Sequence, residues 1–193
     1  MDFLSFENTL KPQSGDLLLA VPYLGDEHFE RSVVLLVDHS EEETIGFTLN
    51  KPSVLSLEDV VSFHASSISL PLFIGGPVQQ DTLHIIHAKE DARSAKIEVN
   101  KQIYWCADYE GLLREIEVEQ GMQEQVRFFL GYSGWGKGQL EAELEGNSWI
   151  ICRNVTKEMI FNVAPENLWA HILTEMGGKY KMFANYPLDP RMN

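Results

Sequence analysis

The sequence has few basic residues. Fifteen Lys and Arg stand against 29 Asp and Glu, which leaves a formal net charge of -14 over 193 residues. Affinity for nucleic acids comes largely from Lys and Arg that neutralise phosphates, and the chain has neither a basic stripe nor a helix-turn-helix pattern. We therefore do not expect it to bind DNA directly, and its acidic surface favours basic or neutral partners.

Cysteines and long apolar runs are also scarce. Cys106 and Cys152 are the two cysteines, and neither lies in a CxxC motif, which argues against a disulfide framework or a zinc knuckle and predicts two buried reduced thiols. The N-terminus carries acids and a proline where a secretory signal needs a basic start and an apolar stretch. No run approaches the ~20 apolar residues that span a bilayer. We expect a cytoplasmic protein without a membrane segment.

An apolar content of 44% is enough for one hydrophobic core, and we expect a single domain over residues 1–193. Strands rich in Val, Leu, Ile and Thr are predicted at 16–22, 31–38, 44–50, 82–88, 95–99, 125–130 and 148–155. Helices are predicted from Ser56 to His64, around Leu112, Leu113 and Ile116, and from Pro165 to Met176 with Gly177 as the stop. Because the helices interrupt the strands irregularly, an α+β fold with largely antiparallel, coiled sheets is favoured over regular βαβ alternation.

The second and third predicted strands form a hairpin. The link HSEEE is too short for the crossover that a parallel pair needs, so the strands pair antiparallel. Residue numbers across the hairpin then sum to about 82, which places Arg31 opposite Lys51. Two opposed cations are unfavourable unless a negative group lies between them. Either a bound anion supplies that group, or Glu30, Asp26 or Asp59 does.

This hairpin end is the strongest candidate for a binding site. Arg and Lys with backbone amides commonly hold a carboxylate or phosphate, and a nearby tight glycine turn can supply the amides. The sequence predicts a site for a small anion at Arg31, Ser32, Asn50, Lys51, Gly75, Gly76 and Pro77, with His39 as a further candidate.

The segment GYSGWGKG, residues 131–138, resembles a phosphate-binding P-loop but lacks one essential group. Gly138 stands where the loop needs a Ser or Thr to bind magnesium. We interpret the segment as a turn with positive φ angles and with Trp135 packed across it.

The sequence contains no motif that indicates a metal site or a catalytic site. His84 and His87 flank two isoleucines in a predicted strand, where they point to opposite sides, and no HExxH pattern is present. No metal or cofactor is expected. No GxSxG motif is present either, so an enzyme would have to use Ser32, His39 or Asn50 with Arg31 as an electrostatic partner.

Several motifs resemble a known family. The segments GDLLLAVPYLGDEHFERSVVLLVDH, GFTLNKP, IGGPV, GYSGWGKGQLEAEL, NSW and the terminal DPRMN are similar, in that order, to the AlgH/YqgE-like family of bacterial proteins. The resemblance implies a compact α+β domain and brings the label of transcriptional regulator from a member linked to alginate synthesis. It implies no catalytic residue, cofactor or substrate. Glu41 to Glu43 stand where the family often has a shorter link, and the hairpin register depends on that link.

Three functions follow from these observations. The first is a binding or regulatory protein that acts through a small anionic ligand or a protein partner. The second is direct DNA binding, which the charge disfavours. The third is an enzyme of unrecognised class that acts on a small anionic substrate. The sequence predicts no oligomeric state.

Overall fold

The computed structural model describes residues 10–61, 70–90, 92–93, 96–106, 108–119 and 121–187. Its ten strands are β1 (Leu17–Ala20), β2 (Val33–His39), β3 (Glu43–Thr48), β4 (Pro52–Ser56), β5 (Pro71–Ile74), β6 (Val78–His87), β7 (Lys96–Asn100), β8 (Ile103–Cys106), β9 (Val126–Gly136) and β10 (Trp149–Cys152). Its helices are α1 (Leu57–Val60), α2 (Tyr109–Val118), α3 (Gln139–Glu145), α4 (Lys157–Phe161), α5 (Pro165–Met176) and α6 (Gly178–Phe183), and a 3-10 turn spans Met122–Gln125.

The strands form one curled, largely antiparallel sheet, which confirms the predicted α+β fold. Its order is β10-β1-β2-β3-β9-β6-β8-β7, and β5 adds to β9 as a parallel neighbour that also pairs with β4. The predicted hairpin is β2–β3, and its register agrees with the prediction where Val34 pairs with Thr48 and Leu35 with Phe47. Nearer the turn a bulge shifts the register by one residue, so that Asp38 pairs with Ile45.

Each strand turns alternate side chains to the two faces of the sheet. The concave face carries the largest buried cluster, with Leu35, Phe47, Ile86 and Phe129, and α4, α5 and α6 pack over part of it. The curl brings β7 close to β2. The convex face carries two smaller clusters, one beneath α2 and one beneath α3.

Two of the predicted helices are confirmed, and the first is shorter than predicted. Ser56 and Asp59 form a capping box at the start of α1, but α1 ends at Val60 because Val61 has an extended backbone, and His64 lies outside the described residues. Asp108 caps α2 by accepting the amide of Gly111 at 3.0 Å. Helix α5 begins at Pro165 and ends before Gly177, as its spacing predicts.

The interpretation of residues 131–138 as a turn is wrong for most of the segment. Strand β9 continues through Gly136, and only Gly131 (φ 65) and Gly138 (φ 74) have a left-handed backbone. Trp135 is nevertheless buried, as predicted, at 4% exposure. Cross-strand pairing with β3 explains the difference, because Trp135 pairs with Thr44 and Gly134 with Ile45.

The two cysteines, a buried ion pair and the helix lengths complete the description of the fold. Cys106 and Cys152 are free and buried, which confirms the prediction of two buried reduced thiols. Asp16, 1% exposed, binds Arg153 through both carboxylate oxygens at 3.0 and 2.8 Å, and so joins the start of β1 to the end of β10. In the part of the chain that the structure describes, no helix combines the length and apolar character that crossing a bilayer requires. The predicted strand residue Ala95 and the terminal DPRMN motif are outside that part.

Candidate functional site

The open end of the β2–β3 hairpin is held by Asn50. Strand β2 begins at Val33, two residues later than predicted, because Arg31 has a left-handed backbone (φ 51) that no strand accommodates. The Asn50 side chain replaces the missing strand hydrogen bonds. Its Oδ1 accepts the Val33 amide at 2.9 Å, and its Nδ2 donates to the Arg31 carbonyl at 2.8 Å. Asn50 therefore fixes the position from which Arg31 projects.

The guanidinium of Arg31 contacts the C-terminal part of the chain. It donates to the carbonyl oxygen of Tyr186 and lies 4.9 Å from the ring centroid of Trp169 on α5. Trp169 in turn donates its Nε1 to the Ala20 carbonyl at 2.8 Å. Arg31 is thus half-buried between the loop that precedes β2 and the helices on the concave face.

Lys51 lies at the same hairpin end but turns to a different acceptor. Its Nζ donates to the Glu30 carbonyl at 2.8 Å. Burial lowers the pKa of Lys51, and the charge of Glu30 offsets part of that shift. Within the described ranges neither Arg31 nor Lys51 forms an ion pair with a carboxylate. The two cations therefore share one end of the hairpin while bonding to neutral carbonyls.

The carboxylates considered as alternative neutralising groups are used in other ways. Asp26 Oδ1 accepts the His28 amide at 2.8 Å, and Asp59 accepts the amide and the hydroxyl of Ser56 at 2.8 and 2.9 Å. The backbone carbonyl of Glu30 accepts a hydrogen bond from Lys51, and the charge of Glu30 raises the pKa of Lys51.

Two candidate residues do not belong to this group. Ser32 is fully buried, and its hydroxyl is 3.4 Å from the His28 carbonyl. His39 lies at the other end of β2, where its Nδ1 is 2.7 Å from Thr44 Oγ1. Seven strand residues at about 3.3 Å each place His39 roughly 20 Å from the Arg31 end. His39 and Arg31 are therefore too far apart to act on one reacting atom.

The glycine turn serves backbone packing. A Cβ on Gly75 would lie 2.3 Å from the Gly131 carbonyl oxygen, and one on Gly76 would lie 2.2 Å from the Tyr132 carbonyl carbon. The Gly75 amide donates to the Leu130 carbonyl at 2.8 Å, so it does not supply the free donor that the sequence suggests. Pro77 follows as an exposed residue. Close approach to β9 explains both glycines.

Sequence reasoning missed the aromatic residues around Arg31. Tyr23 stacks on Tyr186 with ring centroids 6.0 Å apart, and its buried hydroxyl has no hydrogen-bond partner among the described residues. Its backbone is left-handed (φ 61), like that of Arg31. Positive φ angles at these two residues cannot be recognised from the amino-acid sequence, although Pro22 before Tyr23 indicates an irregular segment.

Sequence reasoning also missed a buried arginine away from this site. Arg127 on β9 is 8% exposed, donates to the Ile160 carbonyl at 2.5 Å and lies 4.9 Å from the Phe73 ring centroid. Burial lowers its pKa to about 10, so it remains charged at neutral pH. Arg127 attaches α4 to the sheet and, in sequence, looks like an ordinary polar position in an apolar strand.

The motifs GYSGWGKGQLEAEL and NSW meet in one hydrogen-bonded network. Glu143 Oε2 accepts the indole N–H of Trp135 at 2.9 Å and that of Trp149 at 2.7 Å. Gln139 donates to the other carboxylate oxygen of Glu143 at 3.0 Å. Phe29 packs against both indoles. These two motifs therefore form the packing between α3 and the convex face.

The two histidines of LHIIH lie on strand β6 and on opposite faces, as predicted. Across the residues that are described, no group of three His, Cys, Asp or Glu side chains could hold a metal ion. His87 is fully buried on the α2 side of the sheet and stacks on Tyr104 with ring centroids 5.5 Å apart. Neither of its ring nitrogens has a hydrogen-bond partner in the described ranges. Burial, with Lys96 nearby, lowers its pKa from 6.5 to about 4.

His87 predicts a loss of stability in mild acid. The unfolded chain binds a proton near pH 6.5, whereas folded His87 resists protonation down to about pH 4, so stability is complete above the first value and declines towards the second. We expect the free energy of unfolding to fall by about 2 kcal/mol between pH 7 and pH 5 from this residue. Urea unfolding across this range would measure it. His87→Leu should remove most of the decline, with a residual slope from His84, whose pKa burial also lowers. Equal slopes in the two proteins would contradict the assignment.

Comparison with known proteins identifies the family. A family model described as AlgH-like matches residues 17–181. A UPF0301 protein from Cytophaga hutchinsonii is 43% identical over 180 residues, which cover 93% of this chain and 98% of the relative. The UPF0301 protein CT0663 from Chlorobaculum tepidum is 41% identical over 184 residues, covering 95% and 96%. The chain belongs to the AlgH-like family.

Solved structures agree with the fold. The solution structure of the AlgH protein from Pseudomonas aeruginosa matches with a TM-score of 0.71 and 25% identity, covering 95% of this chain and 98% of that protein. A crystal structure of a protein from Corynebacterium diphtheriae matches with a TM-score of 0.77 and 22% identity, covering 93% and 95%. The curled α+β architecture is therefore shared.

Proposed function

We propose that this protein is a binding protein whose ligand is a small anion, held by Arg31 and Lys51 at the open end of the β2–β3 hairpin. One observation carries the proposal. In a chain of net charge -14, two half-buried cations at one hairpin end donate hydrogen bonds to backbone carbonyls and form an ion pair with no carboxylate among the described residues.

The donors of these two side chains are only partly used. A guanidinium has five N–H groups and an ammonium has three. Arg31 donates one hydrogen bond, from Nη2, to the Tyr186 carbonyl, and Lys51 donates one to the Glu30 carbonyl. A carboxylate or phosphate offers stronger, charge-assisted bonds to the remaining donors than a neutral carbonyl does. Partial burial strengthens such bonds, because the surrounding dielectric is lower than that of water.

The backbone beside the site supports the same interpretation. Tyr23 and Arg31 both have a left-handed φ, although neither is glycine. Such conformations cost about 1–3 kcal/mol each and cluster at ligand-binding sites. Here they hold the Tyr23 ring against Tyr186 and direct Arg31 to the same residue. A regulatory role would then depend on the ligand or on a protein partner rather than on direct DNA contact, given the acidic surface.

Lys51→Gln tests the proposal, with Lys137→Gln as its matched control. Lys137 is an exposed lysine paired with Glu42 at 2.7 Å, near the opposite end of the hairpin. We expect citrate or inorganic phosphate to raise the melting temperature of the wild-type protein saturably at constant ionic strength. Lys51→Gln should weaken the apparent affinity about tenfold, whereas Lys137→Gln should leave it unchanged.

Several outcomes would overturn this proposal. A wild-type protein that responds to citrate and phosphate only as it does to chloride has no such site. Equal losses in the two lysine variants would mean that general charge, and not the hairpin end, attracts the anion. Retarded DNA in a mobility-shift assay at low salt would instead favour direct DNA binding.

A further inference from the structure

In the described part of the chain, α4, α5 and α6 cover only part of the concave face, and beyond them it carries half-buried and exposed side chains. Six neighbouring strands each contribute one side chain to this part of the face. The strand registers place Asp38 beside Ile45 and Ile97 beside Trp105, and ring contacts join Trp105 and Tyr132 through His84. We call this group the sheet mouth, and it consists of Asp38 (β2), Ile45 (β3), His84 (β6), Ile97 (β7), Trp105 (β8) and Tyr132 (β9).

Exposure of these residues shows that the sheet mouth is accessible. Ile97 is 51% exposed although it shares a face with buried Val99 and pairs with Trp105. Trp105 is half-buried, whereas the other three tryptophans of the chain are at most 4% exposed. Half-buried aromatic side chains at the end of a curled sheet are typical of ligand sites, since the mouths of barrels provide concave, apolar surfaces.

The aromatic rings of the sheet mouth form a continuous layer. The His84 ring centroid is 5.0 Å from Phe47, 5.9 Å from Trp105 and 5.8 Å from Tyr132. Phe47 is fully buried and forms the floor. Burial lowers the pKa of His84, so its imidazole is neutral at neutral pH, and its Nε2 lies 3.0 Å from Thr82 Oγ1. The layer therefore presents π faces and no positive charge.

Asp38 supplies the only charge of the sheet mouth. It is exposed, shares its face with Ile45 through the bulge in β2, and forms no ion pair with any residue that the structure describes. The chain as a whole carries a net charge of -14, which attracts cations. Aromatic faces beside a carboxylate are complementary to a positively charged group with an apolar body.

We propose that the sheet mouth binds an organic cation, specifically a quaternary or otherwise bulky ammonium group, between Trp105, Tyr132 and the carboxylate of Asp38. This site is independent of the proposed anion site. Asp38 and Arg31 stand at opposite ends of β2, and the ligands have opposite charge.

Choline and its neutral isostere 3,3-dimethyl-1-butanol test the proposal on the full-length protein. The measurement is the NMR signal of the Trp105 indole N–H, assigned by its loss in Trp105→Phe. We expect choline to shift this signal saturably, and the alcohol to shift it at least fivefold less at equal concentration. Asp38→Asn should weaken choline binding threefold or more.

Glu98→Gln is the matched control. Glu98 neighbours Ile97 on β7, but it pairs with Tyr104 and so faces the other side of the sheet. Its removal changes the net charge as Asp38→Asn does and should leave choline binding unchanged. Absence of a saturable shift, an equal response to the neutral alcohol, or equal effects of the two carboxylate variants would each overturn the proposal. Phosphate binding at Lys51 would remain unaffected by any of these results.

Discussion

Replacing Gly76 with alanine is expected to lower the free energy of unfolding by about 3 kcal/mol or more. The new Cβ would lie 2.2 Å from the Tyr132 carbonyl carbon and 2.3 Å from the Ser133 amide nitrogen. Both atoms belong to the backbone of β9, which pairs with β3 and β6 and cannot move aside without breaking those pairs. Urea unfolding of the purified variant would measure the loss, and failure to accumulate folded protein would be its extreme form.

Gly136→Ala is the control for this effect. Gly136 lies on the same strand, but a Cβ added there would have no described atom within 4 Å beyond its chain neighbours. We expect a change within about 0.5 kcal/mol. Equal stabilities of the Gly76 and Gly136 variants would show that the turn at Gly75–Gly76 can move away from β9.

The second large effect concerns the carboxylate that joins two tryptophans. Glu143→Leu should cost about 3 kcal/mol, because Oε2 accepts both indole N–H groups and hydrogen bonds to a charged group contribute about 1.5–3 kcal/mol each. Trp135 and Trp149 are 4% and 1% exposed, so their N–H groups would be left with little access to water. Chemical denaturation followed by tryptophan fluorescence would report the loss.

Glu143→Gln separates hydrogen bonding from the rest of the side chain. A glutamine keeps one carbonyl oxygen with two lone pairs, which can accept both indole donors. We expect it to retain more than half of the stability that the leucine variant loses. A glutamine variant as unstable as the leucine variant would show that the negative charge itself, and not the shared acceptor, holds the tryptophans.

Much of the fold follows from local patterns in the sequence. The β2–β3 hairpin was predictable because a short link joins two apolar strands, and α5 because Pro165 and Gly177 mark its ends. The hairpin register was predictable as far as Leu36. Beyond it, the bulge that brings Asp38 opposite Ile45 depends on packing across the sheet.

Other elements could not be found locally. Strand β4 is short and mostly exposed, so no apolar alternation marks it, and β5 is parallel to β9, which lies far along the chain. Strand β9 continues through Gly136 because it pairs with β3. The glycine-rich sequence of this segment, taken alone, indicates a turn instead. Tertiary pairing decided the structure of these segments.

The candidate site was predictable only in part. Register placed Arg31 and Lys51 at one hairpin end, but the direction of each side chain depends on the carbonyls of Tyr186 and Glu30. Tyr186 is more than 150 positions away, and no sequence spacing relates it to Arg31. His39 was a further candidate from the sequence alone, although His39 lies at the far end of β2.

The central place of β9 has a consequence for synthesis on the ribosome. Strands β3, β5 and β6 all leave the exit tunnel before the strand that joins them, and β1 waits still longer for β10. Their edges stay unpaired and their apolar side chains stay exposed during that interval, so we expect the nascent chain to be prone to aggregation until β9 and β10 emerge. Because the decisive contacts join distant segments, refolding from denaturant should be slow compared with that of a helical bundle of equal length.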